Sequence, residues 1–282
     1  MGDGTERRDA AERPVGFFDS GIGGTCILNA FRRLCPNEAT VYIADSENCP
    51  YGNKPPEEII RLSEANVRKL LKQNCKMIVV ACNTATAAAI DYLREKYPQV
   101  PFVGIEPALK PAALRSKTGV VGVLATAGTF HGRLYNETKA RFAKNVTVLA
   151  VQADEFVTLV ERAGLGGLGR LGSLEGLGRL ERLGRLEGLG RLGRLGSLEG
   201  LEGLGSLGGL DGLEVERIVR KKIEPLLKAG ADKIVLGCTH FPHLKPVIER
   251  VCAGRAEVID PSEAVARQAK RVLEAWAKRQ ET

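Results

Sequence analysis

Several features that mark other protein classes are scarce or missing in this sequence. No run of about 18 or more apolar residues occurs, which argues against a membrane span. Aromatic residues make up only 5% of the chain and are not interleaved with basic clusters, so the net charge of +7 is interpreted as a solvated basic surface that requires no nucleic-acid partner. The first 13 residues are charged and lack an apolar segment, which predicts a loose N-terminal tail and not a signal peptide.

The cysteines also lack the spacing that marks a structural site. The chain has 7 of them, an odd number, and no two form a C-x-x-C pair. This pattern argues against a disulfide framework and against a zinc knuckle. We therefore expect a cytoplasmic protein with reduced thiols, of which one or two are reactive, and no metal site.

Short apolar runs alternate with longer amphipathic stretches along most of the chain. The apolar runs are mostly β-branched and unbroken, as in parallel strands that are buried on both faces. The predicted strands are 15–18, 41–44, 77–81, 102–105, 120–124, 146–151, 233–237 and 257–259. The predicted helices are 25–34, 56–73, 85–96, 132–142, 214–229, 243–251 and 262–279. Alternation of this kind predicts an α/β fold with mainly parallel sheets.

One segment interrupts the alternation. From Gly164 to Leu213, leucine recurs at every third position, and 18 of the 50 residues are glycine. A period of three drifts by about 60° per triplet around an α-helix, and each glycine costs a helix about 1 kcal/mol. The period fits no strand either. Two interpretations stay open, a passive surface insertion from simple-repeat expansion and a segment for self-association or partner binding, and deleting the segment distinguishes them.

Two pairs of strand ends indicate an internal duplication. The segments that resemble each other are residues 15–20 with 121–126, and residues 78–84 with 234–240. Ser20 precedes Cys82 by 62 residues, and Thr126 precedes Cys238 by 112, which becomes 62 when the 50-residue repeat is left out. We therefore predict two similar α/β domains related by a pseudo-twofold axis, with the active site in the cleft between them.

Cys82 and Cys238 are predicted to lie on opposite walls of this cleft, where two facing thiols suit racemisation. That reaction removes a proton from one face of a carbon and returns a proton to the other face. A free cysteine has a pKa near 8.5, so both protonation states are accessible. The helix N-terminus after each cysteine favours a thiolate and also a substrate carboxylate. Asp19 and His240 are predicted to tune the thiols and assist proton transfer.

Other residues of the same types are given structural roles. Cys26, Cys75 and Cys252 are expected to be small core residues. His131 and His243 are expected to be structural. The run 21–24, Gly-Ile-Gly-Gly, lacks the spacing of a dinucleotide or phosphate loop, so its glycines are expected to let the backbone approach a small substrate.

Four segments, taken together and in order, resemble the signature motifs of glutamate racemases, which belong to the aspartate/glutamate racemase superfamily. They are residues 18–24 (FDSGIGG), 50–52 (PYG), 81–86 (ACNTAT) and 237–242 (GCTHFP). The resemblance runs from about Val15 to Trp276 without the repeat. It implies two α/β domains, no pyridoxal phosphate or other cofactor, and no metal. It also implies interconversion of L- and D-glutamate for peptidoglycan synthesis by a protein that is often a homodimer.

The resemblance further implies roles for single residues. Cys82 and Cys238 are the catalytic thiols, of which the first serves D-glutamate and the second L-glutamate. Asp19 matches the acid beside the first thiol, and His240 matches the histidine beside the second. Glu161 matches a family glutamate near the active site. Substrate contacts are expected from Asp19, Ser20, Tyr51, Gly52, Asn83, Thr84, Thr126, Thr129, Thr239 and His240.

The predicted domain boundaries follow from the strand pattern and the resemblance. The first α/β domain is assigned residues 14–104 and 260–282, and the second residues 105–259, interrupted by the insertion at 164–213.

Three other functions stay open. They are a racemase for aspartate or a related acid, a thiol redox or covalent-thiol enzyme, and a binding protein that works through the repeat. Substrate preference, activity with a single cysteine, and deletion of the repeat discriminate among them.

Overall fold

The structure is a computed structural model that describes residues 12–170, 186–187 and 212–281. These residues form two parallel β-sheets flanked by helices. We number the strands β1–β9 and the helices α1–α10 in chain order. Within the described part of the chain, no helix is both long and apolar enough to cross a membrane.

The first sheet is built from the apolar runs of the N-terminal part of the chain. Its main strands, in the order β4-β3-β1-β2, are β1 (Val15–Asp19), β2 (Thr40–Ala44), β3 (Met77–Val80) and β4 (Phe102–Gly104). Helices α1 (Thr25–Leu34) and α10 (Ser262–Glu281) cover one face, and α2 (Pro56–Lys72) and α3 (Asn83–Lys96) cover the other. Coverage on both faces explains why the strands are apolar without alternation.

The second sheet has the same construction. Its strands, in the order β6-β5-β8-β9, are β5 (Val120–Ala125), β6 (Thr147–Gln152), β8 (Lys233–Leu236) and β9 (Glu257–Ile259). One face packs on α7 (Asp154–Arg170), α8 (Gly212–Lys228) and α9 (Lys245–Cys252). The other face packs on α4 (Leu109–Arg115) and α6 (Arg133–Phe142). The short α5 (Ala127–His131) follows β5 directly.

The two sheets repeat one strand order, as the internal duplication predicts. β1 lies between β2 and β3, and β5 lies between β6 and β8. The register is also repeated, because Phe18 pairs with Val80 in the first sheet and Leu124 pairs with Leu236 in the second. The fold is therefore two α/β domains of similar topology. We propose the boundaries given above for them, a division that the packing of α10 against α1 supports.

All eight predicted strands are present, but the predicted helices are incomplete. Three helices have no counterpart in the prediction: α4, which is short and contains Pro111; α5, which has only five residues; and α7. Helix α3 also begins at Asn83, two residues earlier than predicted. The segment predicted as a helix from His243 opens with a 3-10 turn, Phe241–Leu244, before α9.

The period of the leucine repeat favours neither helix nor strand, yet helices extend into both of its margins. Helix α7 continues past Gly164 to Arg170, and α8 begins at Gly212. A helix that is already nucleated by the buried residues before Gly164 gains one backbone hydrogen bond with each added residue, which offsets the cost of glycine. A two-residue strand, β7 (Leu186–Glu187), pairs in parallel with β2. The remaining residues of the repeat, and the predicted tail before residue 12, lie outside the described residues.

Candidate active site

Four loops meet where the two sheets face each other, and each follows the carboxyl end of a central strand. Ser20 follows β1 and Cys82 follows β3, while Thr126 and Cys238 follow the equivalent strands β5 and β8. All four side chains are buried. The structure thus brings the two thiols to equivalent positions of the two sheets, at the edge where ligands of parallel α/β sheets bind.

Cys82 caps the N-terminus of α3. The backbone N–H of Ala85 donates to its Sγ at 3.5 Å, and the thiol in turn donates to the Ser20 hydroxyl at 3.7 Å. Burial, and next the charge of Asp19, raise the pKa of the Cys82 thiol well above its ordinary value. The helix N–H lowers the pKa, the direction expected from the sequence, but it offsets only part of the desolvation.

Asp19 lies in the first domain and touches both halves of the site. Its Oδ2 accepts from the backbone N–H of Gly24 at 2.8 Å and from the hydroxyl of Thr239 in the second domain at 3.4 Å. The Cys82 side chain is a further neighbour, and it lowers the pKa of the Asp19 carboxyl. Burial raises the pKa of the Asp19 carboxyl, and the charge of His240 and the Gly24 N–H reverse only part of that effect. The carboxyl therefore caps the loop before α1 and lies beside the Cys82 thiol.

Cys238 has a different neighbour. His240 Nδ1 lies 3.7 Å from Cys238 Sγ, and His240 Nε2 lies 2.6 Å from Glu161 Oε1. Burial lowers the pKa of the imidazole, but hydrogen bonds to Cys238, Cys49 and Glu161 outweigh burial and raise it well above its ordinary value. Burial likewise raises the pKa of the Glu161 carboxyl, yet the contact with His240 leaves it below its usual range. The pair is therefore an ion pair.

The glycine loop after β1 makes room for this ion pair. A Cβ on Gly23 would lie 2.7 Å from His240 Nδ1, and a Cβ on Gly21 would overlap Glu161 Oε1. The Glu161 carboxylate also accepts from the backbone N–H of Ile22 at 2.8 Å. From the sequence, these glycines were expected to let the backbone approach a small substrate. In the structure they leave room for side chains of the second domain, so we expect substitution at Gly21 or Gly23 to push the domains apart.

A chain of hydroxyls crosses between the domains on the other side of the site. Thr84 lies 2.9 Å from Thr126, and Thr126 lies 3.2 Å from Thr129, measured between their Oγ1 atoms. Asn83 is the first residue of α3, and both polar atoms of its buried amide lack a hydrogen-bond partner. Asp19 Oδ1 is a further buried atom without a partner. Such groups are costly unless something binds them, which makes them suited to a polar ligand.

Tyr51 and Gly52 occupy the loop after β2. Both were predicted to contact the substrate, but the hydroxyl of Tyr51 is already engaged by other side chains. The Tyr51 hydroxyl is buried and donates to Asp45 Oδ2 at 2.5 Å, and it accepts from Asn66 at 3.2 Å. A substrate contact from Tyr51 would therefore involve its backbone. A Cβ on Gly52 would lie 3.0 Å from the Cβ of Thr126 in the second domain. Asp45 and Asn66 were missed by the sequence prediction, since no motif marks them.

Cys49 is another residue of the site that the sequence prediction missed. Its side chain is half-buried, and its Sγ lies within 4.8 Å of a ring nitrogen of His240. Its only signal in the sequence is its place directly before the Pro50-Tyr51-Gly52 motif.

Behind the site, Cys26 Sγ lies 3.3 Å from His243 Nε2. Cys26 is therefore a half-buried contact between the domains and not the core residue that was expected. Burial lowers the pKa of His243 to about 4.

Known proteins share both the sequence and the fold. The Asp/Glu/hydantoin racemase family model matches residues 25–165 and 181–269. The glutamate racemase of Herpetosiphon aurantiacus is 39% identical over 265 residues, which cover 94% of this chain and 86% of that relative. The glutamate racemase of Pseudomonas syringae pv. tomato is 37% identical over 262 residues, which cover 93% of this chain and 79% of that relative.

Solved structures agree with the sequence relatives. Escherichia coli glutamate racemase, in complex with L-glutamate and the activator UDP-MurNAc-Ala, gives a TM-score of 0.69 at 31% identity, over 93% of this chain and 83% of that one. Thermus thermophilus glutamate racemase, in complex with β-chloro-D-alanine, gives a TM-score of 0.62 at 31% identity, over 94% and 82%. The resemblance carried by the four sequence motifs is confirmed, and the chain belongs to the Asp/Glu/hydantoin racemase family and, within it, to the glutamate racemases.

Proposed function

We propose that this enzyme interconverts L- and D-glutamate by moving the α-proton between Cys82 and Cys238, without a cofactor. One observation carries the proposal: two buried thiols stand at equivalent strand ends of two similar sheets, and each has its own ionisable partner. A racemase needs a proton acceptor on one face of the reacting carbon and a proton donor on the other. Two thiols fill both roles and exchange them for the reverse reaction.

The proton balance is simple. Starting from L-glutamate, the Cys238 thiolate takes the α-proton and becomes a thiol. The Cys82 thiol gives its own proton to the opposite face of the carbon and becomes a thiolate. Starting from D-glutamate, Cys82 is the thiolate and Cys238 the thiol. The assignment of each thiol to one enantiomer follows the family resemblance.

The partners of the thiols support this scheme. His240, ion-paired with Glu161, places positive charge next to Cys238, and an imidazolium beside a cysteine is a common way to favour a thiolate. Asp19 touches Cys82, and its raised pKa allows it to hold or pass a proton there. Both partners are sealed from bulk water by burial, which strengthens their electrostatic effect on the reacting atoms.

Buried polar groups are proposed to bind the substrate. The unpartnered amide of Asn83 suits a carboxylate, and the unpartnered Asp19 Oδ1 suits the substrate ammonium group. The N-terminus of α3 and the hydroxyls of Ser20, Thr84, Thr126, Thr129 and Thr239 add further donors. The backbone of Tyr51 and Gly52 completes the proposed set. That the Escherichia coli relative holds L-glutamate supports glutamate as the substrate.

Three wider statements remain predictions, of which the peptidoglycan role and the homodimer come from the family resemblance and the cytoplasmic location comes from the composition. The enzyme supplies D-glutamate for peptidoglycan synthesis, it works in the cytoplasm, and it forms a homodimer. Light scattering coupled to size-exclusion chromatography tests the homodimer, since a monomer at working concentration would contradict it.

The first experiment on the proposed reaction is proton NMR of the purified protein with L-glutamate in D₂O, with no cofactor added. We expect the α-proton signal to disappear while optical rotation falls to zero. Loss of optical rotation with glutamate but not with aspartate supports the substrate assignment. Exchange and inversion with aspartate alone would replace glutamate by aspartate, and inactivity with both would reject the proposal.

A further inference from the structure

Cys49, Glu161 and His240 bring three different ligand-type atoms together beside the thiols. The sulfur of Cys49, a carboxylate oxygen of Glu161 and a ring nitrogen of His240 all lie within 4.8 Å of one another. The three residues come from separate parts of the chain: the loop after β2, helix α7 and the turn after β8. We call them the Cys49 cluster.

The geometry of the Cys49 cluster is close to that of a zinc site. Tetrahedral Zn²⁺ with bonds of about 2.0–2.3 Å keeps its ligand atoms roughly 3.4 Å apart. His240 Nε2 and Glu161 Oε1 are now 2.6 Å apart, and no pair of ligand atoms exceeds 4.8 Å. Side-chain movements on the order of 1 Å would therefore bring all three to bonding distance.

The charges and the access also fit a divalent cation. A Cys49 thiolate and the Glu161 carboxylate together carry two negative charges, which balance one M²⁺ ion with a neutral imidazole as third ligand. The donor set of sulfur, nitrogen and oxygen is that of zinc and not of magnesium or calcium. Cys49 and Glu161 are half-buried, so an ion can reach them, while His240 is buried behind them.

The backbone around the cluster is shaped for these side chains. A Cβ on Gly21 would lie 3.2 Å from Cys49 Sγ and would overlap Glu161. The N–H of Ile22 holds Glu161 Oε1 at 2.8 Å and orients the carboxylate, as outer partners of metal ligands do.

We propose that the Cys49 cluster is an inhibitory binding site for Zn²⁺ or a similar soft divalent cation. Binding forms bonds from the metal to Cys49 Sγ, His240 Nε2 and a Glu161 oxygen, and it releases two protons to solvent, one from the Cys49 thiol and one from Nε2 of the His240 imidazolium. It breaks the contact between Glu161 and His240. Because the opposite ring nitrogen of His240 lies 3.7 Å from Cys238 Sγ, the metal replaces the imidazolium beside that thiol by a neutral imidazole that is fixed on the metal. The inhibition rests on the proposed racemase function, whereas the binding does not.

The test uses Co²⁺ as a spectroscopic probe on the reduced, chelator-treated full chain. We expect one equivalent of Co²⁺ to bind with a thiolate-to-cobalt charge-transfer band, and Zn²⁺ to displace it. Cys49→Ser should abolish the band and weaken Zn²⁺ binding by more than about tenfold. Cys35→Ser, which removes another half-buried thiol away from the site, should leave band and affinity unchanged.

Racemase assays supply the second readout. Zn²⁺ should inhibit the wild-type enzyme over the concentration range in which it displaces Co²⁺, and EDTA should restore activity. Cys49→Ser should need at least about tenfold more Zn²⁺, relative to its own metal-free rate. An enzyme without racemase activity would reject the proposed function but would still report binding through the cobalt spectrum.

Three results would overturn the metal site: no charge-transfer band with the wild-type chain, a band that survives in Cys49→Ser, or a band that is lost in Cys238→Ser. Circular dichroism checks that each variant is folded. If Cys49→Ser does not fold, Cys49→Ala and Glu161→Gln take its place, and both are expected to weaken Zn²⁺ binding.

Discussion

The two thiols occupy equivalent positions in two similar sheets, but their surroundings differ. In the aligned halves Asp19 corresponds to Ala125, so only Cys82 has an acid at the end of the neighbouring strand. Thr84 corresponds to His240, so only Cys238 has an imidazole two residues on. Duplication of the fold has thus produced equivalent places for two sulfur atoms, while substitutions around them have produced two different acid-base partners.

This asymmetry has a chemical consequence. Burial and Asp19 raise the pKa of the Cys82 thiol, which favours the protonated state on the first-domain side. The ion pair of Glu161 and His240 places a cation on the second-domain side. The two thiols therefore have partners of opposite charge type, a carboxyl beside Cys82 and an imidazolium beside Cys238. The predictions below test that difference.

The largest effect is expected from removing either thiol. Cys82→Ser and Cys238→Ser should each lower the racemisation rate by about 10²- to 10⁴-fold, because a serine hydroxyl is a far weaker acid than a thiol. In D₂O, Cys82→Ser should still exchange the α-proton of L-glutamate without inversion, and Cys238→Ser that of D-glutamate. NMR on each pure enantiomer measures both properties.

Buried cysteines outside the site are the matched controls for these variants. Cys75→Ser in the first domain and Cys252→Ser in the second should keep the racemisation rate close to that of the wild type. Exchange of both enantiomers by either single-thiol variant would show that the two sides are not distinct.

The next effect comes from the partners of the thiols. His240→Asn and Asp19→Asn should each lower kcat/KM by about 10²-fold. The fall must be equal in both directions, because the two enantiomers have the same free energy. The asymmetry should appear instead in the isotope effect of α-deuterated substrate. His240→Asn should enlarge it for L-glutamate, since abstraction by Cys238 becomes limiting, and Asp19→Asn should enlarge it for D-glutamate. Equal isotope effects for both enantiomers would contradict the assignment of partners.

Removing the Glu161 charge should shift a pH profile. The carboxylate helps to raise the pKa of His240, so imidazolium is kept to higher pH than in a free histidine and is lost as the pH rises through that pKa. Glu161→Gln lowers the pKa of His240, and the alkaline limb of kcat/KM should move to lower pH. Glu155 lies on the same helix, but its carboxylate pairs with Lys222 outside the site. Glu155→Gln should therefore leave the alkaline limb of kcat/KM in place. An unchanged limb in Glu161→Gln would mean that His240 does not control it.

Much of the fold was predictable because of simple physical signals. Eight strands followed from unbroken apolar runs, since strands covered on both faces have no polar side. The matched spacing of Ser20 to Cys82 and of Thr126 to Cys238 predicted two sheets with one strand order. The short helices α4 and α5 were not predictable, because five to seven residues carry too few turns to show a period.

The site was predictable only where it repeats or matches a motif. Cys82, Cys238, Asp19 and His240 lie at strand ends that the pattern locates. Asp45 and Asn66 join the site through side-chain contacts with Tyr51 that no motif marks, and Cys49 has no signal beyond its place directly before the Pro50-Tyr51-Gly52 motif. The roles of Gly21 and Gly23 were misjudged for the same reason. A glycine reveals that space is needed, but the group that takes the space belongs to the other domain.

The smallest effect concerns the first-domain counterpart of His240. Thr84 reaches across the interface to Thr126 at 2.9 Å, as His240 reaches across to the loop at Gly23, but it carries no charge. Thr84→Val and Thr126→Val should therefore be coupled by only about 0.5–1.5 kcal/mol of unfolding free energy, the worth of a neutral hydrogen bond. Urea denaturation of the single and double variants measures this coupling energy. The control is the pair Thr84→Val and Thr40→Val. The hydroxyl of Thr40 bonds to Arg32 and not to Thr84, so the two effects on the free energy of unfolding should be additive.

Because a neutral bond between Thr84 and Thr126 holds the domains together without changing the charge at a thiol, kcat of Thr84→Val should change far less than kcat of His240→Asn. A fall in kcat as large as that of His240→Asn would mean that the uncharged side also moves protons, and the contrast between the two halves would be wrong.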